Sequence, residues 1–121
     1  MNDPKKDRIL VYRGQVLKGA QEGRTLGFPT ANVAFMGSKM TGTYAAEVTL
    51  AHETFRAAVY VNERRKLLEA HILDFSRDIY GQEITMTLLK KVAETEVFTD
   101  VNALQKKIAR DVALVKKYFV H

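Results

Sequence analysis

The chain has 121 residues, 46% of them hydrophobic and 27% charged, which suits one globular domain spanning the whole chain and is too short for two well-packed ones. With no cysteine in the sequence, a disulfide framework, a thiolate metal site and a cysteine nucleophile are excluded. The formal net charge of +5 favours anionic partners without choosing among them.

No apolar run reaches the roughly 18 residues of a membrane span, and the opening Met1-Asn2-Asp3-Pro4-Lys5-Lys6-Asp7 does not read as a signal peptide. The expectation is a soluble cytoplasmic monomer with no membrane partner. Residues 1–8 are expected to form a flexible N-terminus.

In chain order, Ile9 to Lys18 is rich in β-formers and ends at Gly19, which predicts a first strand; Thr30 to Phe35 predicts a shorter second. From Thr43 to Ala51 the residues alternate, with Tyr44, Ala46, Val48 and Leu50 on one face and Thr43, Glu47 and Thr49 on the other. His52-Glu53 is expected to close a hairpin onto Phe55 to Val61, whose apolar positions are Phe55, Ala57, Val59 and Val61. Leu67 to Phe75 and Glu83 to Val92 predict two further strands, joined through Ser76 to Gln82.

The last segment changes period. Val101, Leu104, Ile108, Val112, Val115 and Phe119 recur at spacings of three and four, with Lys106, Lys107, Arg110, Lys116 and Lys117 elsewhere on the surface. Thr99 or Asp100 supplies an N-cap, which predicts one amphipathic helix within residues 99–119. Consecutive short strands without helices between them cannot form a parallel sheet. The expected fold is therefore all-β with one C-terminal helix, a small antiparallel barrel of six strands.

Between the first two strands lies Gly19-Ala20-Gln21-Glu22-Gly23-Arg24-Thr25-Leu26-Gly27-Phe28-Pro29-Thr30-Ala31-Asn32. Its glycines allow tight turning and a close backbone approach that exposes N–H groups to phosphate oxygens. It is not a Walker loop, because Ala20-Gln21 stand where lysine and serine or threonine are required. On composition alone it reads as a surface loop linking two strands, ahead of a phosphate cradle.

The run Gly23-Arg24-Thr25-Leu26-Gly27-Phe28-Pro29-Thr30-Ala31-Asn32 is followed by Gly42-Thr43-Tyr44-Ala45, then Leu68-Glu69-Ala70-His71-Ile72-Leu73-Asp74-Phe75, then Asp78-Ile79-Tyr80-Gly81. In this order the blocks resemble the riboflavin kinase (flavokinase) family, here as a stand-alone kinase module. The resemblance implies a Greek-key barrel and transfer of the γ-phosphoryl of ATP to the 5′-hydroxyl of riboflavin, giving FMN, with Mg²⁺ accompanying the ATP.

Carried over residue by residue, the resemblance implies that Thr30 and Asn32 contact Mg²⁺ and the phosphates, that Gly19, Gly23, Arg24 and Gly27 shape the phosphate loop, and that Glu69 is the catalytic base. A carboxylate beside an alcohol can accept its proton during phosphoryl transfer. On a strand reaching Phe75, Glu69 would share its side with Leu67, His71, Leu73 and Phe75, and burial there would raise its pKa. Ile72, Asp74 and Tyr80 match positions around the nucleotide base, His71 reads as structural, and Phe98 matches an aromatic beside the flavin or packs the final helix.

Ala93 and Glu96 occupy flavin-side positions where the family carries arginine and lysine, and Asn62-Glu63-Arg64-Arg65-Lys66 makes a shorter connection before the glutamate strand. Two other readings follow: a catalytically weak flavin- or nucleotide-binding module, and a kinase for a different alcohol. A nucleic-acid-binding barrel is the poorest fit, since aromatics and cations are not interleaved across neighbouring strands.

Overall fold

The computed structural model describes residues 10–18, 27–36 and 39–120. Its strands are β1 (Leu10–Leu17), β2 (Ala31–Ala34), β3 (Thr43–Leu50), β4 (Glu53–Asn62), β5 (Leu67–Ile72) and β6 (Glu83–Ala93), followed by helix α1 (Val101–Phe119). Every neighbouring pair is antiparallel, in the order β1-β2-β5-β4-β3-β6, and β6 returns to β1 to close the barrel. Closure leaves no unpaired edge. Of the described residues, no helix is long and apolar enough to cross a membrane.

Alternation decides what fills the barrel. Val16, Val33, Phe35, Val48, Val59, Leu68, Ile84, Met86 and Leu88 point inward and form the principal core. On the outside, Ala45 and Ala58 make a flat apolar step on which α1 lays Val112 and Val115, flanked by Phe28, Tyr60, Ile108 and Phe119. Small side chains at that step let the helix approach the sheet closely. Gly14 has a similar role on β1, where a Cβ would collide with Val33 Cγ1.

Several boundaries differ from those expected. The β3–β4 turn is Ala51-His52, with Ala51 at φ 55°, and Glu53 already pairs with Leu50. The barrel's demand for paired backbone extends β4 at both ends, to Glu53 and Asn62. Strand β5 stops at Ile72 instead of Phe75: Asp74 takes φ 54°, a left-handed turn that aspartate tolerates, so Leu73 and Phe75 do not continue Glu69's side of the strand. Helix α1 begins at Val101, capped by Asp100, whose carboxylate accepts from Asn102 N at 2.9 Å.

The helix face is also shifted from the apolar pattern. Val101 is exposed, whereas Lys107 is buried with Asp111. Lys107 Nζ donates to Asp111 Oδ2 at 2.5 Å and Thr43 Oγ1 donates to the same oxygen at 2.7 Å. This polar cluster fastens α1 to β3.

Candidate active site

A cavity of 530 Å³ opens where the ends of β1, β2 and β5 meet the segment after β5, and its walls include Lys18, Thr30, Asn32, Ile72, Arg77 and Tyr80. The segment is held at its far end by backbone bonds from Gly81 N to Val16 O at 2.9 Å and from Val16 N to Gln82 O at 2.8 Å. Four residues assigned by resemblance, Thr30, Asn32, Ile72 and Tyr80, thus line one space. Asp74 is exposed on its turn and is not among the lining residues.

Thr30 and Asn32 belong to the entry into β2. Pro29 disfavours helical backbone at the residue before it, and Gly27 takes φ 89°, a conformation that L side chains rarely adopt. Thr30 Oγ1 donates to Asn32 Oδ1 at 2.9 Å. The two neutral oxygens are of the hard type that Mg²⁺ accepts, and Mg²⁺ completes its shell with water and phosphate oxygens, so the donor set fits a nucleotide-borne magnesium. No cluster of three or more His, Asp or Glu side chains able to hold a metal occurs among the described residues.

Register brings Glu69 to this point. Asn32 on β2 stands directly opposite Glu69 on β5, and Glu69 stands directly opposite Tyr60 on β4. All three side chains lie on the outer face, where opposed Cβ atoms are about 5 Å apart. Asn32 also lines the cavity, so it spans the space between the cavity and the carboxylate. Glu69 is half-buried, and its Oε2 accepts from Asn62 Nδ2 at 2.7 Å. Asn62 is oriented in turn by Arg65 N, which donates to Asn62 Oδ1 at 3.1 Å. That pair of bonds aims the amide NH₂ at Glu69 and fixes the carboxylate's rotation.

His71 Nδ1 lies 2.9 Å from Pro29 O, and its ring meets Phe28 edge-on at 5.5 Å between centroids. Phe28 is thereby pinned over the outer face of β5. A second cavity of 420 Å³ lies between Phe28 and the α1 residues Asn102, Gln105, Lys106 and Ala109. It occupies the same outer side as Glu69 and Tyr60.

The flavin-side assignments fare differently. Ala93 ends β6 opposite Thr43, and Phe98 is half-buried ahead of the helix. Glu96 faces α1, with its Oε2 3.8 Å from both Lys107 Nζ and Arg110 Nη2. None of the three lines either cavity. Gly19, Gly23 and Arg24 lie outside the described residues.

Sequence reasoning missed Phe28, Asn62, Tyr60 and Arg77. A hairpin whose turn is 63–66 pairs Asn62 with Leu67 and Tyr60 with Glu69, so simple counting back from Glu69 was a signal for two of them. Arg77 stacks over Phe55 and Phe75, at 5.3 and 4.9 Å from the ring centroids, and nothing local in the sequence announces that cluster.

The model of the family described as "Flavokinase: Riboflavin kinase" matches residues 7–119. An RNA-binding riboflavin kinase of Bacillus subtilis (strain 168) is 36% identical over 119 residues, covering 92% of this chain and 52% of that protein. The bifunctional riboflavin kinase/FMN adenylyltransferase of Escherichia coli (strain K12) is 36% identical over 115 residues, covering 88% of this chain and 37% of that protein. The chain therefore spans about half or less of these curated relatives.

Among solved structures, one described as a macrolide-efflux protein from Streptococcus pneumoniae superposes with a TM-score of 0.76 at 28% identity, covering 88% of this chain and 38% of that one. Riboflavin kinase from Trypanosoma brucei superposes with a TM-score of 0.67 at 20% identity, covering 91% and 76%, a likeness of fold. With the family model matched over residues 7–119, the chain belongs to the riboflavin kinase family.

Proposed function

We propose that this chain is an ATP:riboflavin 5′-phosphotransferase module that produces FMN. The observation that carries the reading is the position of Asn32, which lines the larger cavity and stands opposite Glu69. The larger cavity takes Mg-ATP, with Ile72, Arg77 and Tyr80 toward the base and Thr30 and Asn32 at the phosphate end. Riboflavin approaches from the outer side, its ring in the cavity between Phe28 and α1 and its polyol chain toward Glu69.

The chemistry is an in-line displacement. The bond from the 5′-oxygen to the γ-phosphorus forms as the bond to the β–γ bridging oxygen breaks, ADP leaves, and the hydroxyl proton passes to Glu69 and then to solvent. Magnesium brought with the nucleotide neutralises charge on the phosphates. The Asn62 amide holds the Glu69 carboxylate against rotation, so that its oxygens keep one orientation toward the incoming hydroxyl. Positioning and electrostatics are what such transfers require of a protein.

Incubation of riboflavin with Mg-ATP and chromatography of the flavins tests the reading: FMN is the expected product. Glu69→Gln keeps the shape and a hydrogen-bonding group at the site, and is expected to lower turnover about 10²- to 10⁴-fold, the usual contribution of a general base, with unchanged circular dichroism. Unconverted riboflavin with the wild-type chain overturns the activity. Wild-type turnover in Glu69→Gln overturns the role of that residue alone.

A further inference from the structure

Tyr60 stands out on the outer face. Its hydroxyl is fully buried and has no hydrogen-bond partner in the structure, the one such side-chain atom identified among the described residues. A buried hydroxyl without a partner is costly, and native structures rarely keep one without use. Its neighbours are informative. Across one strand boundary lies Glu69, and across the other lies Thr43, whose hydroxyl is committed to Asp111.

Both nearby carboxylates are engaged: Asp111 accepts from Thr43 and Lys107, and Glu69 accepts from Asn62. Burial first, then the charge of Asp111, then that of Glu69, pushes the Tyr60 phenol well above its ordinary value. The group therefore stays protonated as a donor at any working pH. Lys107 balances Asp111, so the charge left beside the phenol is that of Glu69, and the partner suited to both is a neutral group that accepts from the phenol and donates to the carboxylate. An alcohol meets both demands, because it can accept from a phenol and donate to a carboxylate at once.

We infer that Tyr60 is a specificity-determining residue of the acceptor site, whose hydroxyl donates to a hydroxyl of the acceptor's polyol chain beside Glu69. The inference rests on the proposed riboflavin kinase activity and goes beyond it, adding from β4 a direct contact to the acceptor's chain. Because the Tyr60 hydroxyl has no exposed surface of its own, the contact forms as the acceptor displaces the side chains over it. The contact is therefore made only with an acceptor that has a hydroxylated chain.

Flavin-fluorescence titrations in the presence of Mg-ADP test this with two probes, riboflavin and lumiflavin, which keeps the ring and lacks the polyol chain. In Tyr60→Phe, riboflavin affinity is expected to fall about two- to twelvefold, the range for one neutral hydrogen bond, while lumiflavin affinity is unchanged. The variant is expected to melt at or above the wild-type temperature, since it loses an unpaired buried hydroxyl. Equal losses for both flavins, or no loss for riboflavin, overturn the inference and leave the kinase reading standing. Failure of the wild-type chain to bind riboflavin overturns both.

Discussion

Tyr60 and Asn62 lie two residues apart on β4 and address the same carboxylate in different ways. Asn62 holds Glu69 by a direct bond of 2.7 Å, while Tyr60 feels it through space. The environment of Tyr60 also makes a prediction about stability. A tyrosine whose pKa is raised on folding keeps its proton in the native state at a pH where the unfolded chain has already lost it. The native state then binds more protons than the unfolded state, and stability falls as pH rises above the ordinary tyrosine value near 10. Below that pH the penalty is absent. Urea denaturation at stepped alkaline pH is expected to show the wild type losing up to about 1.4 kcal/mol per pH unit relative to Tyr60→Phe, and parallel curves for the two proteins would contradict it.

At the scale of elements, α1 is held by more than its apolar stripe. Val112 and Val115 pack on Ala45 and Ala58, and beside them the Lys107–Asp111 pair joins the helix to Thr43 on β3. Both charged side chains are almost wholly buried, at 9% and 5% exposed. Removing one partner of such a pair strands the other charge away from water. Asp111→Ala is expected to cost about 3–5 kcal/mol in urea denaturation, more than an exposed ion pair could account for.

The spacing of Val101 to Phe119 made the helix legible, because apolar residues every three or four positions share one side of a helix and scatter over both faces of a strand. The burial of Lys107 was not legible. A lysine and an aspartate four residues apart are an ordinary surface pair on an isolated helix, and only the small residues of β3 and β4 bring that face inside. Glu96 is a similar case. The resemblance assigned it to the flavin side, yet in this fold it faces Lys107 and Arg110, so the local charge is balanced from the helix.

For the molecule as a whole, the larger cavity is walled by β1, β2, the end of β5 and the segment after it, and the smaller by Phe28 and α1. Ligands bound to both would brace strands that are distant in sequence, and anything that binds only the native state raises its melting temperature. Mg-ADP at about a hundred times its dissociation constant is expected to add about 2.7 kcal/mol, read as a rise in Tm by calorimetry. EDTA should reduce that rise, because Thr30 and Asn32 meet the phosphates with neutral oxygens and leave part of the charge neutralisation to magnesium. A rise undiminished by chelation would show that nucleotide binding does not depend on magnesium.

By itself the sequence determined the period of each element, and with it the six strands, the closing helix and the motif residues that mark the family. These are local properties, written in the alternation of neighbours and in the order of short blocks. What only the tertiary structure decided was which of those residues meet. Asn32 and Glu69 are far apart in the chain, and they face each other because β2 pairs with β5 in one register; a slip of β2 by one residue would turn Asn32 into the core and leave Glu69 without it. The β4–β5 pairing sets Tyr60 and Asn62 around the carboxylate, and the left-handed turn at Asp74 ends β5. Register is a collective outcome of barrel closure and core filling, and no single segment contains it.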